Sequence, residues 1–419
     1  MIGGVILKII ELNEVQFKNY SQIHSKRNYL QTVNYDKFIT GGKFKSKYLG
    51  LLDDDSNIVA ATLLVYECLK NKSKIGYVPG GFLIDLTNYS LVSDFMKYLN
   101  IYLKEKGYIY VRVTPCFKYK VYDRNMNILA EYKNKYDNLK SCGANFTVFQ
   151  NKFSKYECIL EVTDGSLSDI YSKFRRNTKR EINRASLMDI SVSEGSKKDL
   201  KEFYELISNR TDKDVDYYKN LLTSFNNIMN KGEIYFAKLD TKNYLNNYIY
   251  LEKKEREIND ELNRALINNT SKRVLNKKMK SDQRLTSFKN EIVKATNIYK
   301  NYPDGIVLST CLIIKNNREV YFLINGYNEK FSNIYSMSTL YWEVIKKYLS
   351  KGYRTFNLGE LHDELNDKKS KYFGLYLHKT GIGNKIVEYT SSYDIVINKY
   401  LYTIYAGVNS LINSFKFKN

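Results

Sequence analysis

Two hydrophobic rhythms alternate along this chain, short apolar runs or period-two stretches and longer segments with a period near 3.6, which predicts strands alternating with amphipathic helices. Residues 57–67 (NIVAATLLVYE) form a nearly continuous apolar run, as a buried strand requires. Residues 90–106 follow with Leu91, Phe95, Leu99 and Leu103 four apart, one stripe of a helix. Residues 108–113 (YIYVRV) are the next strand, ended by Pro115, which has no amide to give a ladder. The plan restarts with a strand at 156–162 (YECILEV). A basic helix at 172–185, a strand near 190–192, a helix at 198–208 and a strand at 233–238 follow. Further on, 306–314 and 319–325 read as strands joined by Lys315, Asn316, Asn317 and Arg318, a hairpin signal. A helix at 337–349 and a strand at 355–358 complete a second copy of the order.

The second copy is interrupted between 242 and 301 by a charged heptad hairpin. Leu285, Phe288, Ile292, Ala295 and Tyr299 alternate three and four residues apart on its returning half. Leu251, Ile258, Leu262 and Ala265 form a comparable face on the first half, interrupted by Glu255, and Asn268, Asn269, Thr270 and Ser271 supply a turn and an N-cap. Two antiparallel helices of some 25 residues would project about 35 to 40 Å, either as a solvated decoration or as an arm for a large partner. The expected fold is α/β (α+β): a duplicated acyltransferase-like unit with an inserted coiled-coil arm. Residues 1–155 form the first unit, 156–241 with 302–390 the second, and 242–301 the arm. Residues 391–419 form a helical tail, with Ile395, Tyr402, Ile404 and Leu411 packing on the first unit. Lys416 and Lys418 leave a membrane-surface helix as the alternative.

With 419 residues the chain exceeds what one core accommodates. The net charge of +21 favours a polyanionic partner, although abundant Lys, Asn, Ile and Tyr also fit an AT-rich coding sequence. Five cysteines without CxxC spacing and three histidines argue against a zinc site and fit a reducing compartment. The opening MIGGVILKII is broken by Lys8 and followed by Glu11, unlike a signal peptide, and no apolar run reaches membrane-spanning length. A cytoplasmic protein, at most peripheral to a membrane, is expected.

Three segments carry candidate chemistry. In FRRNTKREINR (174–184), Arg176, Lys179 and Arg180 share a helical face, where like charges repel unless phosphate oxygens gather them; a solvated face is the plain alternative. YFGLYLHKTGIGNK (372–385) reads as an aromatic strand running into a glycine turn, with Gly381 and Gly383 letting backbone amides approach a ligand. His378 and Lys379 would alternate across that strand, so only one faces a given cleft, and Lys379 suits an oxyanion on an acyl carbonyl. Asp85 in PGGFLIDL (79–86) would orient or deprotonate an amine, or cap the helix before Asn88. No GxSxG, P-loop or HExxH is present.

Taken in order, these segments resemble the Fem family (FemABX) of peptidoglycan aminoacyltransferases over nearly the whole chain. NYLQTVNY (28–35) is similar to the family's Leu-Gln-Ser/Thr and aromatic segment, PGGFLIDL to its Pro-Arg-Gly-Pro-x-x-Asp stretch, and VRVTP (111–115) to its Arg-x-x-Pro strand. NTKREINRA (177–185) resembles the basic helix, and GLYLHKTGIG (374–383) the closing Gly-Leu-x-x-Phe-Lys-x-Gly-Phe-Gly motif. The resemblance implies twin acetyltransferase-like (GNAT-like) domains with an arm. It also implies transfer of an amino acid from aminoacyl-tRNA to an amine of lipid II or of its UDP-linked muropeptide precursor, at the inner membrane face, without metal or diffusible cofactor. Lys379 falls on the family's catalytic lysine and Asp85 on its cleft aspartate. The basic helix (Arg176, Lys179, Arg180) and Lys37 fall near residues that hold the precursor's phosphates. Gly80 and Phe82 replace the expected Arg and Pro, Ile382 replaces a Phe, and His378 stands where the family has Phe and would stack in its place. An acyl-CoA-dependent N-acyltransferase and a non-catalytic RNA-binding protein are the competing readings, and the arm offers a surface for a homodimer.

Overall fold

The computed structural model describes residues 8–407 except 41–42, 71, 115–116, 147–154, 164, 269–270 and 318. Most of the opening apolar segment, Pro115, Asn269, Thr270, Arg318 and the tail residues Leu411, Lys416 and Lys418 therefore lie outside the described residues. Two sheets carry the fold. The first has seven strands in the order β1 (Lys8–Leu12), β2 (Phe44–Leu52), β3 (Ile58–Cys68), β4 (Lys74–Pro79), β5 (Tyr108–Thr114), β16 (Tyr393–Val396) and β8 (Asn145–Phe146). The second has nine: β10 (Ile190–Glu194), β11 (Asn230–Leu239), β12 (Ile306–Asn316), β13 (Glu319–Tyr327), β14 (Thr355–Leu361), β9 (Tyr156–Glu161), β15 (Lys385–Tyr389), β6 (Lys118–Asp123) and β7 (Ile128–Glu131). Each contains one parallel pair, β4 with β5 and β13 with β14, set among antiparallel neighbours.

Helices cover both sheets: α1 (Glu14–Ile23), α2 (Val33–Ile39), α3 (Tyr89–Glu105) and α4 (Lys133–Ser141) belong to the first half. In the second half come α5 (Leu167–Ser172), α6 (Arg176–Leu187), α7 (Leu200–Ile207), α8 (Val215–Ser224), α11 (Ser336–Leu349) and α12 (Phe373–Ile382), and α13 (Lys399–Gly407) closes the described chain. The expected stripe of α3 is buried at Phe95, Leu99 and Leu103, against Leu64, Val78 and Val111. Between the sheets a shared core joins Phe17, Leu63 and Val65 of the first half to Phe236, Leu312 and Ile314 of the second, so the halves meet through apolar surface.

Two strand exchanges cut across the boundaries expected at 155 and 390. The hairpin β6–β7 leaves the first half and pairs with β15 from Lys385↔Asp123 to Tyr389↔Lys118. In return the tail does not begin as a helix, because Tyr393–Val396 inserts between β5 and β8. Period two at Tyr393 and Ile395 is what fixes it there, both side chains entering the first core. Asp394 points the other way and is held by Arg112 through two 2.7 Å hydrogen bonds, while Tyr402 of α13 donates to the same carboxylate at 2.8 Å. The predicted basic helix is also divided: Arg175 is extended (φ −61, ψ 149) and separates α5 from α6.

The arm consists of α9 (Thr241–Asn268) and α10 (Lys272–Asn301), with Ser271 at the N-cap position of α10. Of the face expected on α9, Leu251 and Leu262 are half-buried, whereas Ala265 is exposed. Tyr244, Tyr248, Glu255 and Asn259 face inward while Ile258 is exposed, so Glu255 sits on the seam instead of interrupting it. There it pairs with Arg284 at 2.8 Å, and Asn259 donates to Ser281 at 3.1 Å and Asp282 at 2.8 Å. A buried apolar cluster forms at the base, where Tyr244, Tyr248 and Ala295 join Leu239 and Leu308 of the second sheet.

Candidate active site

The parallel pair β13–β14 is hydrogen-bonded only from Glu319↔Thr355 to Tyr321↔Asn357. Beyond that point β13 runs on to Tyr327 and β14 to Leu361 without pairing to each other, which opens a wedge between them. At the wedge β14 slips register against β9 between Asn357 and Glu360. Gly359 takes a left-handed conformation there (φ 86), its amide donating to Asn357 Oδ1 at 2.9 Å. This turns the Glu360 carbonyl out of the ladder, and Lys379 Nζ donates to it at 2.6 Å. The backbone angle favours glycine here, and a Cβ at position 359 would sit tightly, 3.1 Å from the Phe322 carbonyl oxygen and 3.2 Å from Nζ.

Lys379 is 6% exposed and lies on a helix, where the sequence predicts a strand. The helix wins because Tyr376, Lys379 and Thr380, at i, i+3 and i+4, all find cover on the second sheet and α6, and Thr380 Oγ1 back-bonds to the Tyr376 carbonyl at 2.7 Å. His378 and Lys379 are therefore about 100° apart, not on opposite faces. The His378 ring packs on Tyr341 at 5.4 Å, and its Nε2 has no hydrogen-bond partner among the described residues. Burial, reinforced by the Lys379 charge, pushes its pKa down to about 4, so it is neutral near pH 7. Burial also depresses the Lys379 ammonium, opposed by Cys158, Glu360 and Glu157. Gly381 and Gly383 do not form a ligand loop: a side chain on the first would strike Thr178 of α6, and on the second Cys158 of β9. They let α12 lie close to both.

The opposite face of the same strands looks toward the first sheet and carries groups that sequence reasoning missed. Tyr321 donates to Glu319 at 2.6 Å, Asn357 to Glu157 at 2.7 Å, and Tyr389 hydrogen-bonds Glu157. Burial raises the Glu319 carboxyl to about 7; Tyr321 and Lys118 work against it, and Glu157 with it. In EVYFLIN the alternation of Glu319 and Tyr321 with Val320 and Phe322 was the available signal. The polar members face an interdomain cleft, not bulk water.

Tyr29, from NYLQTVNY, reaches across to Tyr321 with ring centroids 4.8 Å apart. That segment is pinned by Gln31, fully buried, which accepts from the Leu63 amide at 2.8 Å and donates to the Pro79 carbonyl at 2.5 Å. Asn28 donates to the Gly80 carbonyl at 3.3 Å, and Gly80 has φ 67 with Asn28 Oδ1 only 2.5 Å from where a Cβ would stand. Glycine in place of the family's arginine thus fits the local backbone here. NYLQTVNY and PGGFLIDL, distant in sequence, form one wall.

Asp85 stands on that wall, exposed, and accepts from the Thr87 amide at 3.0 Å and hydroxyl at 2.7 Å, which hold its carboxyl below the usual range. No described hydrogen bond or ion pair joins it to Lys379. Lys37 is on the surface of α2, paired with Glu14 at 2.9 Å. Arg176 and Arg180 are exposed on α6, whereas Lys179 donates to the Ser172 carbonyl at 2.8 Å. Arg175 anchors the corner before them, its amide on the Gly381 carbonyl at 2.9 Å and its guanidinium on the Thr380 and Arg124 carbonyls. Arg184 leaves the group for Glu291 of the arm at 3.4 Å.

The FemAB family model matches residues 12–410. Aminoacyltransferase FemB of Staphylococcus epidermidis is 25% identical over 430 positions, covering 98% of this chain and 100% of that protein. Aminoacyltransferase FemA of Staphylococcus aureus strain MRSA252 is 22% identical over 427 positions, 97% of this chain and 99% of that one. Among solved structures, that of FemX superposes with a TM-score of 0.74 over 95% of this chain and 99% of its own, at 16% identity, a likeness of fold. With a match that runs through both sheets and the arm, the chain belongs to the FemAB family.

Proposed function

We propose that this FemAB-family aminoacyltransferase takes an amino acid from aminoacyl-tRNA and places it on a primary amine of a peptidoglycan stem peptide, carried by lipid II or a UDP-linked muropeptide. The observation that carries the reading is Lys379 Nζ held at the wedge where β13 and β14 part. An aminoacyl ester is already activated, so alignment and charge stabilisation suffice. The neutral amine adds to the ester carbonyl, the oxyanion forms within reach of Lys379, and the carbonyl–oxygen bond to ribose breaks. The amine's proton leaves through the cleft carboxylates or water, and the departing ribose oxygen takes one up. Lys379 serves only while protonated, and Glu360, Glu157 and Cys158 oppose the loss of that proton.

In this reading His378 packs beside the lysine as a neutral ring, Asp85 lines the acceptor side, and Arg176, Arg180, Lys179 and Lys37 meet phosphates. The acyl-CoA alternative would need a pyrophosphate-binding loop, and HKTGIG (378–383), at best a poor one in sequence, is largely the end of a helix. No helix among the described residues is long and apolar enough to cross a membrane, and contact with a lipid-linked acceptor would be peripheral. The test is to incubate the protein with lipid II, or with the UDP-linked precursor, and a pool of tRNAs charged with labelled amino acids, with and without RNase. Ribonuclease-sensitive addition of one residue to the precursor supports the reading; no addition with any charged tRNA or stem variant overturns it.

A further inference from the structure

A cavity of about 450 Å³ lies between α5, α6 and α11, further along α6 from the turn that meets α12, and nothing above uses it. Tyr171, Trp342 and Ile190 give it apolar and aromatic walls, and Asn183, Thr339 and Asp189 a polar edge. Thr339 is 5% exposed and its hydroxyl has no hydrogen-bond partner, a costly arrangement for a buried polar group unless a ligand completes it. Asn183 Oδ1 accepts from Tyr171 at 2.7 Å, leaving its amino group to donate. Asp189 Oδ2 accepts from Asn243 at 2.9 Å, leaving its other oxygen to accept. A donor, an acceptor and a hydroxyl beside aromatic walls fit the edge and face of a nucleobase.

We propose that this cavity receives one base of a single-stranded nucleotide segment whose phosphates cross Arg176 and Arg180. Arg176, Arg180 and Asn183 stand at i, i+4 and i+7, one face of α6 leading into the cavity. The first turns of α6 touch α12 through Arg175 and Thr178. From Thr178 to Asn183 or Ser186 the helix rises about 8 to 12 Å. The cavity thus lies along α6 from the helix that carries Lys379, which favours an RNA 3′ end, where an unpaired base and the aminoacyl ester belong to one strand, over the single base of a nucleotide-linked precursor. The inference rests on the tRNA reading above for the source of the base.

The full chain is titrated, by fluorescence anisotropy, with an uncharged hairpin RNA bearing four unpaired 3′ nucleotides and with versions abasic at each unpaired position. UMP and UDP serve as competitors. One abasic position should weaken binding about tenfold, the scale of losing one stacked base. Asn183→Leu and the near-isosteric Thr339→Val should weaken the intact RNA but not that abasic RNA further, whereas Arg180→Ala weakens all alike. Equal binding of every abasic RNA overturns the proposal, as do folded variants that still distinguish intact from abasic RNA. Competition by UMP or UDP that depends on Asn183, with abasic RNAs indifferent, assigns the base to the precursor and also overturns it. Abasic sensitivity without aminoacyl transfer leaves the cavity assignment standing and removes the function instead.

Discussion

Replacing Glu319 by Gln isolates the cost of the carboxylate in the cleft. Its pKa is raised from 4.5 to about 7, chiefly by burial, so the folded chain holds this proton more tightly than the unfolded one. Below pH 4.5 both states are protonated and there is no penalty. Between 4.5 and 7 the unfolded chain ionises first, and stability falls as pH rises. Above 7 the whole penalty is present; 2.5 units at 1.36 kcal/mol each come to about 3 kcal/mol. Glu319 is half-buried and not sealed from water, so this is the upper figure. Glutamine cannot ionise yet keeps an oxygen for the Tyr321 hydroxyl. Urea unfolding of both proteins at pH 5, 6, 7 and 8 should show the variant gaining on the parent with pH, from near zero to at most about 3 kcal/mol. Other titrating groups cancel in the difference. A gap that stays constant across this range would refute the assignment of the raised carboxyl to Glu319.

Lys379→Ala should lower the rate of transfer about 10²- to 10³-fold while precursor and RNA affinities persist, and near-normal turnover in a single-turnover assay would remove Lys379 from the chemistry. Asp394→Ala leaves Arg112 half-buried without its carboxylate, and should cost about 3 to 5 kcal/mol in urea unfolding; a loss under about 1 kcal/mol would mean β16 is held by its apolar residues alone. Gly381→Ala drives a methyl into Thr178 and should destabilise by about 1 to 3 kcal/mol, most of it recovered by Thr178→Ala in the same chain; additive losses would contradict the contact.

Much of this was legible where one periodicity served one burial surface. The helix over 90–106, the strands at 57–67 and 108–113, the hairpin of β12 and β13 and the arm all follow that rule. Lys379 was singled out through a motif and not through its surroundings, since the segment around it is apolar in both rhythms and only its packing on α6 and the second sheet selects a helix. Glu319, Tyr321 and Glu157 were passed over because a polar residue on an alternating strand normally faces water, and here a second sheet stands opposite. Asn259 and Glu255 misled the seam of α9 for the converse reason: polar residues paired across the arm fill places where apolar ones are expected.

The traded strands bear on how the molecule moves and assembles. Arg112 and Asp394 meet although 282 residues separate them, and the hairpin β6–β7 has left its own half for the neighbour's sheet. The first sheet therefore lacks β16, and the second the two strands of β6–β7, until the other half is present, so a cut near residue 155 is expected to leave two open sheet edges and not two folded domains. Pairing β16 with β5 across nearly the whole chain raises the contact order, which favours slow folding. With strands paired in both directions, the two halves can be separated only by breaking strand ladders, β16 from β5 on one side and β6 from β15 on the other.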